Sequence, residues 1–421
     1  MTRGSTRRQV LAALAALGVA GCAIRRGVKA RVVIVGGGFG GASCARALRD
    51  ADANIDITLV EPNTRYLACP LSNLVIGGWR SLEQQSFSYG ALQARGIRVL
   101  ATRAADVDPV ARTVTTATGA TLPYDRLVLS PGVSLDFDGL PGYDAAAAKL
   151  MPHAWSAGAQ TLLLRRQLEA MPDGGTFAIV APDNPYRCPP GPYERAAVVA
   201  YYLSQSKPRS KVLILDAKDR FSKQSLFLSE WRRRYGKQVE WQGRSDGARV
   251  VRVDAIAGQV ETEFDTVRAD VTNVIPPQRA ASIAVRAGVA DASGWCPVDA
   301  ATFESTLQRD IHVLGDAAIA NAMPKSAFSA QAQGRLTATQ ILSFFNGLPP
   351  VSTKLINTCY SYLAPESAIS IADVFAPDGQ RWRAVSGAGG VSALDATPED
   401  RRGEADAALR WFDTATVGAF G

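Results

Sequence analysis

The sequence predicts the α/β fold class, with two βαβ units of the parallel-sheet type followed by a C-terminal α+β region. Residues 31–61 show a strand, a glycine-rich turn, a helix and a second strand, and residues 176–216 repeat this order with a different turn. The 421-residue chain, 47% hydrophobic, is long enough for two or three domains with a large core.

The excess of basic residues is confined to the first 30 residues. The formal net charge is +7, but residues 1–30 hold six basic and no acidic side chains, so the remainder is nearly neutral. No basic patch in that remainder favours nucleic-acid binding.

Residues 1–30 are predicted to be a twin-arginine export signal, with Arg7 and Arg8 ahead of a moderately apolar run. That run is shorter than the about 20 apolar residues that span a bilayer, so no transmembrane span is expected. The sequence VAGC at 19–22 resembles a lipoprotein cleavage box, which leaves two alternatives for Cys22: a lipid anchor, or a residue that is discarded or inert. Either alternative predicts a periplasmic protein in an oxidising compartment.

The first βαβ unit carries a dinucleotide fingerprint. Gly36 permits the tight turn, Gly38 lets the backbone approach a pyrophosphate, and Gly41 allows close packing of helix and strand. Glu61 ends the second strand, where a carboxylate accepts hydrogen bonds from ribose hydroxyls.

Two later segments indicate which dinucleotide this domain binds. The stretches TLPYDRLVLSPG (121–132) and RDIHVLGDAAIA (309–320) resemble the signatures of glutathione reductase-like flavoproteins with two dinucleotide domains. The resemblance implies FAD, with Asp316 on the ribityl chain, where a carboxylate accepts charge-assisted hydrogen bonds. The FAD-binding domain is therefore predicted in two parts, 31–140 and 276–349.

The second Rossmann-like domain, predicted over residues 141–275, reads as a degenerate NAD-like domain. Its first turn lacks the glycine pattern, and Pro189 and Pro190 remove two backbone N–H donors that a pyrophosphate needs. The nicotinamide site is therefore expected to be lost. Residues 350–421 are predicted to form the C-terminal interface domain.

Five motifs resemble the flavoprotein subunit of flavocytochrome c sulfide dehydrogenase: YLACPLSNLVIGG, CPPGPYERAAVVAYYL, GWCPVD, MPKSAFSAQAQG and INTCYSYLAP. The likeness runs from Arg31 to the C-terminus. It implies sulfide as substrate and a c-type cytochrome subunit as partner. The chain has no C-x-x-C pair and only two histidines, so no metal site is expected and any haem belongs to the partner.

The resemblance assigns roles to three cysteines. It makes Cys188 and Cys359 the redox disulfide beside the flavin, since a disulfide sulfur is an electrophile for hydrosulfide. The alternatives are a buried apolar Cys188 or a structural disulfide. Cys69 corresponds to a covalent thioether to FAD, with an unmodified cysteine and noncovalent FAD as the alternative.

Two further residues follow from the same likeness. Glu194, in the first turn of a helix, corresponds to an active-site glutamate whose pKa desolvation would raise so that it could carry a proton. Its alternative is a carboxylate that only complements the helix dipole. A helix starting within 322–334 is expected to aim its N-terminus at the flavin, with Lys325 either adding positive charge there or remaining solvated.

Three other functions are alternatives to the cytochrome-linked sulfide dehydrogenase. Sulfide:quinone oxidoreductase shares the fold but requires a membrane-facing amphipathic end, and the tail 396–421 reads as one short, charged helix with little apolar face. A noncatalytic flavin-bearing subunit is disfavoured because both Cys188 and Cys359 are present. An NADH-dependent disulfide reductase is disfavoured because the second glycine loop is missing.

Overall fold

The computed structural model describes residues 30–421 and confirms the predicted α/β class. The export-signal and Cys22 predictions fall on residues 1–29 and lie outside the described part. Elements of the first region are β1 (Arg31–Val35), α1 (Phe39–Ala51), β2 (Asp56–Val60), β3 (Arg65–Leu67), α2 (Ser72–Gly77), β4 (Ser86–Ser88), α3 (Gly90–Ala94), β5 (Arg98–Leu100), β6 (Ala104–Asp108), β7 (Thr113–Thr116), β8 (Thr121–Pro123), β9 (Arg126–Leu129) and β10 (Val133–Leu135).

The second region follows the same plan as the first, with a central parallel sheet and an antiparallel meander. Its elements are α4 (Ala159–Ala170), β11 (Thr176–Ala181), α5 (Gly191–Ser206), β12 (Lys211–Asp216), α6 (Gln224–Tyr235), β13 (Val239–Gln242), β14 (Val250–Asp254), β15 (Gln259–Thr262), β16 (Thr266–Arg268) and β17 (Val271–Val274).

The chain then returns to the first region before forming the C-terminal domain. The returning elements are β18 (Gln278–Ala280), α7 (Ser282–Arg286), β19 (Cys296–Pro297), β20 (Ile311–Val313), β21 (Ala318–Ile319) and α8 (Ala327–Phe345). The C-terminal elements are β22 (Leu355–Ala364), β23 (Ser367–Asp378), β24 (Arg381–Ala384), β25 (Gly390–Val391) and α9 (Pro398–Phe420).

Two parallel sheets organise the molecule. The first has the strand order β20-β9-β1-β2-β5, so the returning strand β20 completes a sheet begun almost three hundred residues earlier in sequence. The second has the order β13-β12-β11-β17. Because the strands are parallel and buried on both faces, they are continuous apolar runs rather than alternating ones. The carboxyl ends of β1 and β11 carry the two turns that the sequence singled out.

The C-terminal domain packs against both sheets. Hairpin β22–β23 contributes Leu355 and Phe375 to the core of the first region, and Leu363 and Ile369 to the core of the second. This domain therefore joins the two Rossmann-like regions, and β22 runs between them.

The prediction for the tail was wrong. Helix α9 spans 23 residues and buries an apolar stripe of Ala405, Ala408, Phe412, Ala415 and Ala419. These positions recur every three or four residues, which places them on one helix face. Four of these five residues are alanines, which are only weakly hydrophobic, so the apolar face was not evident in the sequence among the charged residues. Within residues 30–421, no helix has the length and apolar character needed to cross a membrane.

Candidate active site

One cavity opens where the two sheets and the C-terminal domain meet. It is bounded by the turn after β1, the loop before α2, the turn after β11, the start of α8, strand β22 and helix α9. Eight of the residues singled out from the sequence line it: Gly36, Gly38, Glu61, Cys69, Cys188, Glu194, Asp316 and Cys359.

The glycine turn is as tight as its pattern predicts. Gly36 has φ of 100°, and a Cβ on it would lie 2.2 Å from the carbonyl oxygen of Ser130. A Cβ on Gly41 would lie 2.0 Å from the Gly36 carbonyl oxygen, so Gly41 acts in packing and is not among the lining residues. Helix α1 starts after Gly38 without a side-chain cap, so its first N–H groups remain available to an anion.

Glu61 connects the end of β2 to this turn. One carboxylate oxygen accepts a hydrogen bond from Gly37 N at 2.9 Å, and the other accepts from Asn63 N at 3.0 Å. The carboxylate is thus held in place at the cavity wall. An ionised carboxylate has lone pairs left for a further hydroxyl donor.

Asp316 carries an unsatisfied acceptor. Its Oδ1 is buried and has no hydrogen-bond partner. Burial raises the pKa of its carboxyl group, against the opposing charges of Arg187 and Lys325. A buried polar atom is nearly always paired in a native protein, so this oxygen is free to accept a hydrogen bond from a molecule bound in the cavity.

The structure does not place the Lys325 ammonium at the cavity, nor in solvent. It donates to the carbonyl oxygens of Asp316 and Ala318, both at 2.8 Å, and lies 3.8 Å from the centre of the Trp295 ring. Burial lowers its pKa to about 8. Lys325 therefore binds the backbone next to Asp316 and the face of the Trp295 ring, and it is not among the residues that line the cavity.

Helix α8 begins at the cavity, close to where its sequence predicts. Its cap is Ser326, whose Oγ accepts from Ser329 N at 3.0 Å and donates to Asn357 Oδ1 at 2.6 Å. Ser326, Ala327 and Phe328 all line the cavity. The positive end of the α8 dipole thus faces the cavity.

Cys188 occupies the turn that replaces the phosphate loop of the second sheet. Its φ of 57° lies in the left-handed region, which is uncommon for a residue other than glycine. Its amide donates to the Lys325 carbonyl at 2.8 Å, which ties this turn to the start of α8. A Cβ on Gly191 would lie 2.7 Å from the Trp155 ring and 3.1 Å from Cys188 Sγ, so a side chain there would press on both groups. The side chain of Cys188 is exposed to the cavity.

Cys359 reaches the same cavity from β22, so the fold brings together two cysteines that are distant in sequence. Asn357 donates its Nδ2 to Cys359 Sγ at 3.2 Å. Both cysteines are thiols in this structure, and none of the five described cysteines forms a disulfide. Desolvation by the surrounding protein raises the pKa of both thiols, and it does so at Cys188 although that residue as a whole is exposed to the cavity; Glu194 adds to the rise at Cys188, while Lys223 and Asn357 oppose it at Cys359.

Cys69 lies on the loop before α2 and also lines the cavity. Its Sγ is 3.9 Å from the carbonyl oxygen of Trp155, which also accepts a hydrogen bond from the guanidinium of Arg187. Cys44 and Cys296 are fully buried in the core and do not reach the cavity.

Glu194 is buried in the first turn of α5. Its Oε1 accepts from Tyr362 N at 2.9 Å and its Oε2 accepts from Asn73 Nδ2 at 2.7 Å. Desolvation raises the pKa of the carboxyl group, and these two hydrogen bonds and the charges of Lys223 and Arg195 oppose it. Both donors belong to other elements, so the carboxylate does more than complement its own helix dipole.

Sequence analysis missed the groups that hold Glu194. Arg195 is fully buried and donates to Asn73 Oδ1 at 3.0 Å and to Asn273 Oδ1 at 2.7 Å. Burial lowers its pKa to about 10. Asn73 lies four residues after Cys69 and Arg195 directly follows Glu194, so proximity to a predicted site residue was the available signal.

The second sheet keeps no place for a nucleotide ribose. Asp216 ends β12, where such an acceptor would stand, but it is fully buried. Its carboxylate accepts from Tyr193 Oη at 2.6 Å, Lys218 Nζ at 2.6 Å and Trp241 Nε1 at 3.0 Å. Protein side chains therefore take up the acceptor that a dinucleotide would use.

Comparisons with known proteins give the family. The central-domain model of the flavocytochrome c sulfide dehydrogenase flavoprotein chain matches residues 161–276, and the flavin-binding model of that enzyme matches 351–420. The chain is 62% identical to the flavoprotein chain of Chlorobaculum thiosulfatiphilum over 45 residues, which cover 11% of this chain and 94% of that sequence. The chain belongs to this family. The pyridine nucleotide-disulphide oxidoreductase model matches residues 30–168.

Sulfide:quinone oxidoreductases are also similar to this chain. The mitochondrial enzyme of Mus musculus is 22% identical over 335 residues, covering 76% of this chain and 72% of that protein. The solved structure of the Aquifex aeolicus enzyme superposes with a TM-score of 0.73 at 19% identity, covering 93% and 92% of the two chains. This structural likeness establishes the fold.

The cavity fits the flavin that the family models indicate. The glycine turn and uncapped α1 suit a pyrophosphate, and the orphaned Oδ1 of Asp316 suits a ribityl hydroxyl. Glu61 suits the ribose of the nucleotide half. The start of α8 would then present N–H groups to the isoalloxazine.

Proposed function

We propose that this protein oxidises sulfide to sulfane sulfur through a Cys188–Cys359 redox disulfide and passes the electrons to a c-type cytochrome subunit. The observation that carries the proposal is the meeting of these two cysteines, from different domains, in the cavity that also holds the flavin-binding residues. A noncatalytic flavin subunit would have no need for this arrangement.

The disulfide, Glu194 and the flavin would each have a separate chemical role in this reaction. Hydrosulfide adds to one sulfur of the disulfide, forming a new S–S bond while the other cysteine leaves as a thiolate. Glu194 is buried beside Cys188 with a raised pKa, so it can hold the proton that hydrogen sulfide or a thiol releases. The bound flavin supplies an acceptor that takes two electrons and releases them singly.

The electron acceptor has two candidates. The relative from Chlorobaculum thiosulfatiphilum is named as a flavocytochrome c chain, which favours a cytochrome and a haem that belongs to the partner. A quinone is the second candidate, because four half-buried aromatic residues line the cavity: Tyr66, Phe328, Tyr360 and Trp411. Such rings can bind a quinone head group.

Further features of the proposal concern attachment and location. Cys69 lines the flavin cavity with a half-buried thiol, which supports a thioether to FAD. Flavin that stays with acid-precipitated protein would support this bond, and complete release would exclude it. The paired arginines at 7 and 8 support export to the periplasm, and Cys22 supports a lipid anchor.

Anaerobic titration with sulfide tests the proposed activity. We expect sulfide to bleach the flavin absorbance of the purified protein, whereas NADH leaves it unchanged. Cys359→Ser should abolish the bleaching, and Cys296→Ala, a buried cysteine outside the cavity, should retain it. Full bleaching in Cys359→Ser would overturn the disulfide route.

A second assay separates the acceptors. Sulfide-reduced protein is mixed with a soluble c-type cytochrome or with a short-chain ubiquinone, and flavin reoxidation is followed. Rapid reoxidation by the cytochrome supports the proposal. Reoxidation by the quinone alone would assign the chain to quinone reduction.

A further inference from the structure

Lys223 is a buried cation directly behind Cys359. Only 7% of the residue is exposed, and its ammonium donates to the Cys359 carbonyl oxygen at 2.7 Å and to Ser361 Oγ at 2.9 Å. Throughout residues 30–421, no carboxylate lies within ion-pair distance of it. Sequence analysis had no reason to select this residue.

A buried ammonium without a carboxylate partner is costly to keep. Desolvation disfavours the charged form, and here it lowers the pKa of Lys223 to about 8. The groups that act on Lys223 from neighbouring elements are Cys359 on β22, Glu194 on α5, Cys188 on the preceding turn and Glu404 on α9. The position is thus one where a negative charge on Cys359 would be stabilised.

The two sulfurs of the proposed disulfide have different surroundings. Cys359 has Lys223 behind it and the Asn357 amide on its sulfur, and that amide is oriented because Ser326 and Ser329 both donate to Asn357 Oδ1. Cys188 instead lies beside the buried carboxylate of Glu194, which disfavours a thiolate, although Arg187 partly compensates.

The two cysteines also differ in how accessible they are to a molecule in the cavity. Cys188 is exposed to the cavity, whereas Cys359 is only half-exposed. An incoming nucleophile therefore reaches Cys188 more readily, and the better leaving thiolate is Cys359. In thiol–disulfide exchange, the sulfur with the more stable thiolate leaves faster.

We propose that Lys223 is a positioning residue that makes Cys359 the leaving thiolate, so that hydrosulfide adds to Cys188. This inference rests on the proposed function for its substrate. The step is balanced: a bond forms between the hydrosulfide sulfur and Cys188, and the Cys188–Cys359 bond breaks. The disulfide is the oxidant and receives the electron pair as the Cys359 thiolate. Lys223 offsets that new charge, and a bound flavin would supply the acceptor for the pair.

Alkylation of the reduced protein tests the role of Lys223 without using enzyme activity. The full-length flavoprotein is treated with iodoacetamide over a range of pH, and modification of the Cys359 and Cys188 peptides is followed by mass spectrometry. Lys223→Gln keeps a hydrogen-bond donor but removes the charge, and Lys223→Arg keeps the charge. Losing a nearby opposite charge raises a pKa by about one unit or more, so Lys223→Gln should slow Cys359 alkylation about tenfold at neutral pH.

The expected pattern is selective. Lys223→Gln shifts Cys359 and leaves Cys188 nearly unchanged, and Lys223→Arg restores the wild-type profile. A folded Lys223→Gln protein with an unmoved Cys359 profile would overturn the proposal. Should Lys223→Gln fail to fold, the wild-type protein still decides: Cys359 must ionise at lower pH than Cys188, and the reverse order contradicts the inference.

Trapping the persulfide tests the direction of attack. The oxidised protein is given one equivalent of sulfide, alkylated and digested. A persulfide on Cys188 supports the proposal, and one on Cys359 overturns it. Absence of persulfide at both positions would count against the proposed sulfide oxidation itself, while the alkylation profiles would still judge Lys223 separately.

Discussion

Replacing Asp316 by alanine should weaken flavin binding far more than it changes the stability of the flavin-free protein. Oδ1 of Asp316 is buried without a donor, and burial raises the pKa of its carboxyl group. If a ribityl hydroxyl donates to this oxygen, removing the carboxylate costs a charge-assisted hydrogen bond of about 1.5–3 kcal/mol. The Kd for flavin should then rise about 10- to 100-fold.

The flavin-free protein should respond much less. An unpaired buried acceptor carries a desolvation penalty of about 1–3 kcal/mol. Asp316→Ala removes that penalty, but it also removes the attraction of this carboxylate for Arg187 and Lys325, so the stability of the apoprotein should change little. A purely structural aspartate would instead lose stability in both forms, so the difference between the two forms is diagnostic.

The assay uses a Cys69→Ser background, so that flavin binds only noncovalently. Flavin Kd is measured by fluorescence quenching, and apoprotein stability by urea unfolding. Asp299→Ala is the matched control, because Asp299 Oδ1 accepts from Ala301 N at 3.0 Å and from Thr302 N at 2.8 Å. The control should lower stability and spare flavin affinity. An unchanged Kd in Asp316→Ala, or a destabilised apoprotein, would refute the assignment.

Three further predictions concern separate features. Glu194→Gln should slow flavin bleaching by sulfide about 10²-fold or more in stopped-flow if Glu194 carries a proton; an unchanged rate would leave Glu194 only its structural hydrogen bonds with Tyr362 N and Asn73. Burial lowers the Lys223 pKa from 10.5 to about 8, so between these pH values the folded protein has lost a proton that the unfolded chain still holds. The free energy of unfolding of the wild-type protein in urea should therefore rise as the pH is raised from about 8 to 10.5. Lys223→Met should lack this rise, and an identical pH dependence would contradict the shift. Arg401→Met removes a buried hydrogen bond to Glu230 at 3.2 Å and one to Ala393 O at 2.7 Å, so unfolding should cost about 1–3 kcal/mol less. The control is Arg402→Met, at the exposed neighbouring arginine, which should change the free energy of unfolding by under about 1 kcal/mol. Equal losses of stability in the two variants would refute the burial argument.

The parts of the fold that sequence could predict are those encoded locally. The glycines at 36, 38 and 41 permit backbone approaches that any side chain would block, so their pattern identifies the first turn directly. Pro189 and Pro190 likewise mark a turn that has lost its phosphate role. The two-domain α/β class followed from these turns and the apolar strands on either side of them.

The arrangement of the site residues could not be predicted from local sequence patterns, because it depends on contacts between elements that are far apart in the chain. Cys188 and Cys359 were paired only through the family likeness, because their meeting depends on how β22 packs between the two sheets. Lys223 escaped notice because a lysine next to a helix start is ordinarily solvated, and here hairpin β22–β23 covers it. Lys325 was misplaced because its partners, the nearby carbonyls of Asp316 and Ala318 and the Trp295 ring, surround the ammonium only once the chain has folded.

The late arrival of β20 in the first sheet bears on how the cofactor is loaded. During synthesis, the amino-terminal glycine turn emerges long before residues 311–316 supply the edge strand and the carboxylate that completes the pocket. Helix α9, which forms another wall, emerges last. Flavin insertion must therefore await a nearly finished polypeptide, so a ribosome-bound fragment that ends before β20 should bind FAD poorly however well its first strands have folded.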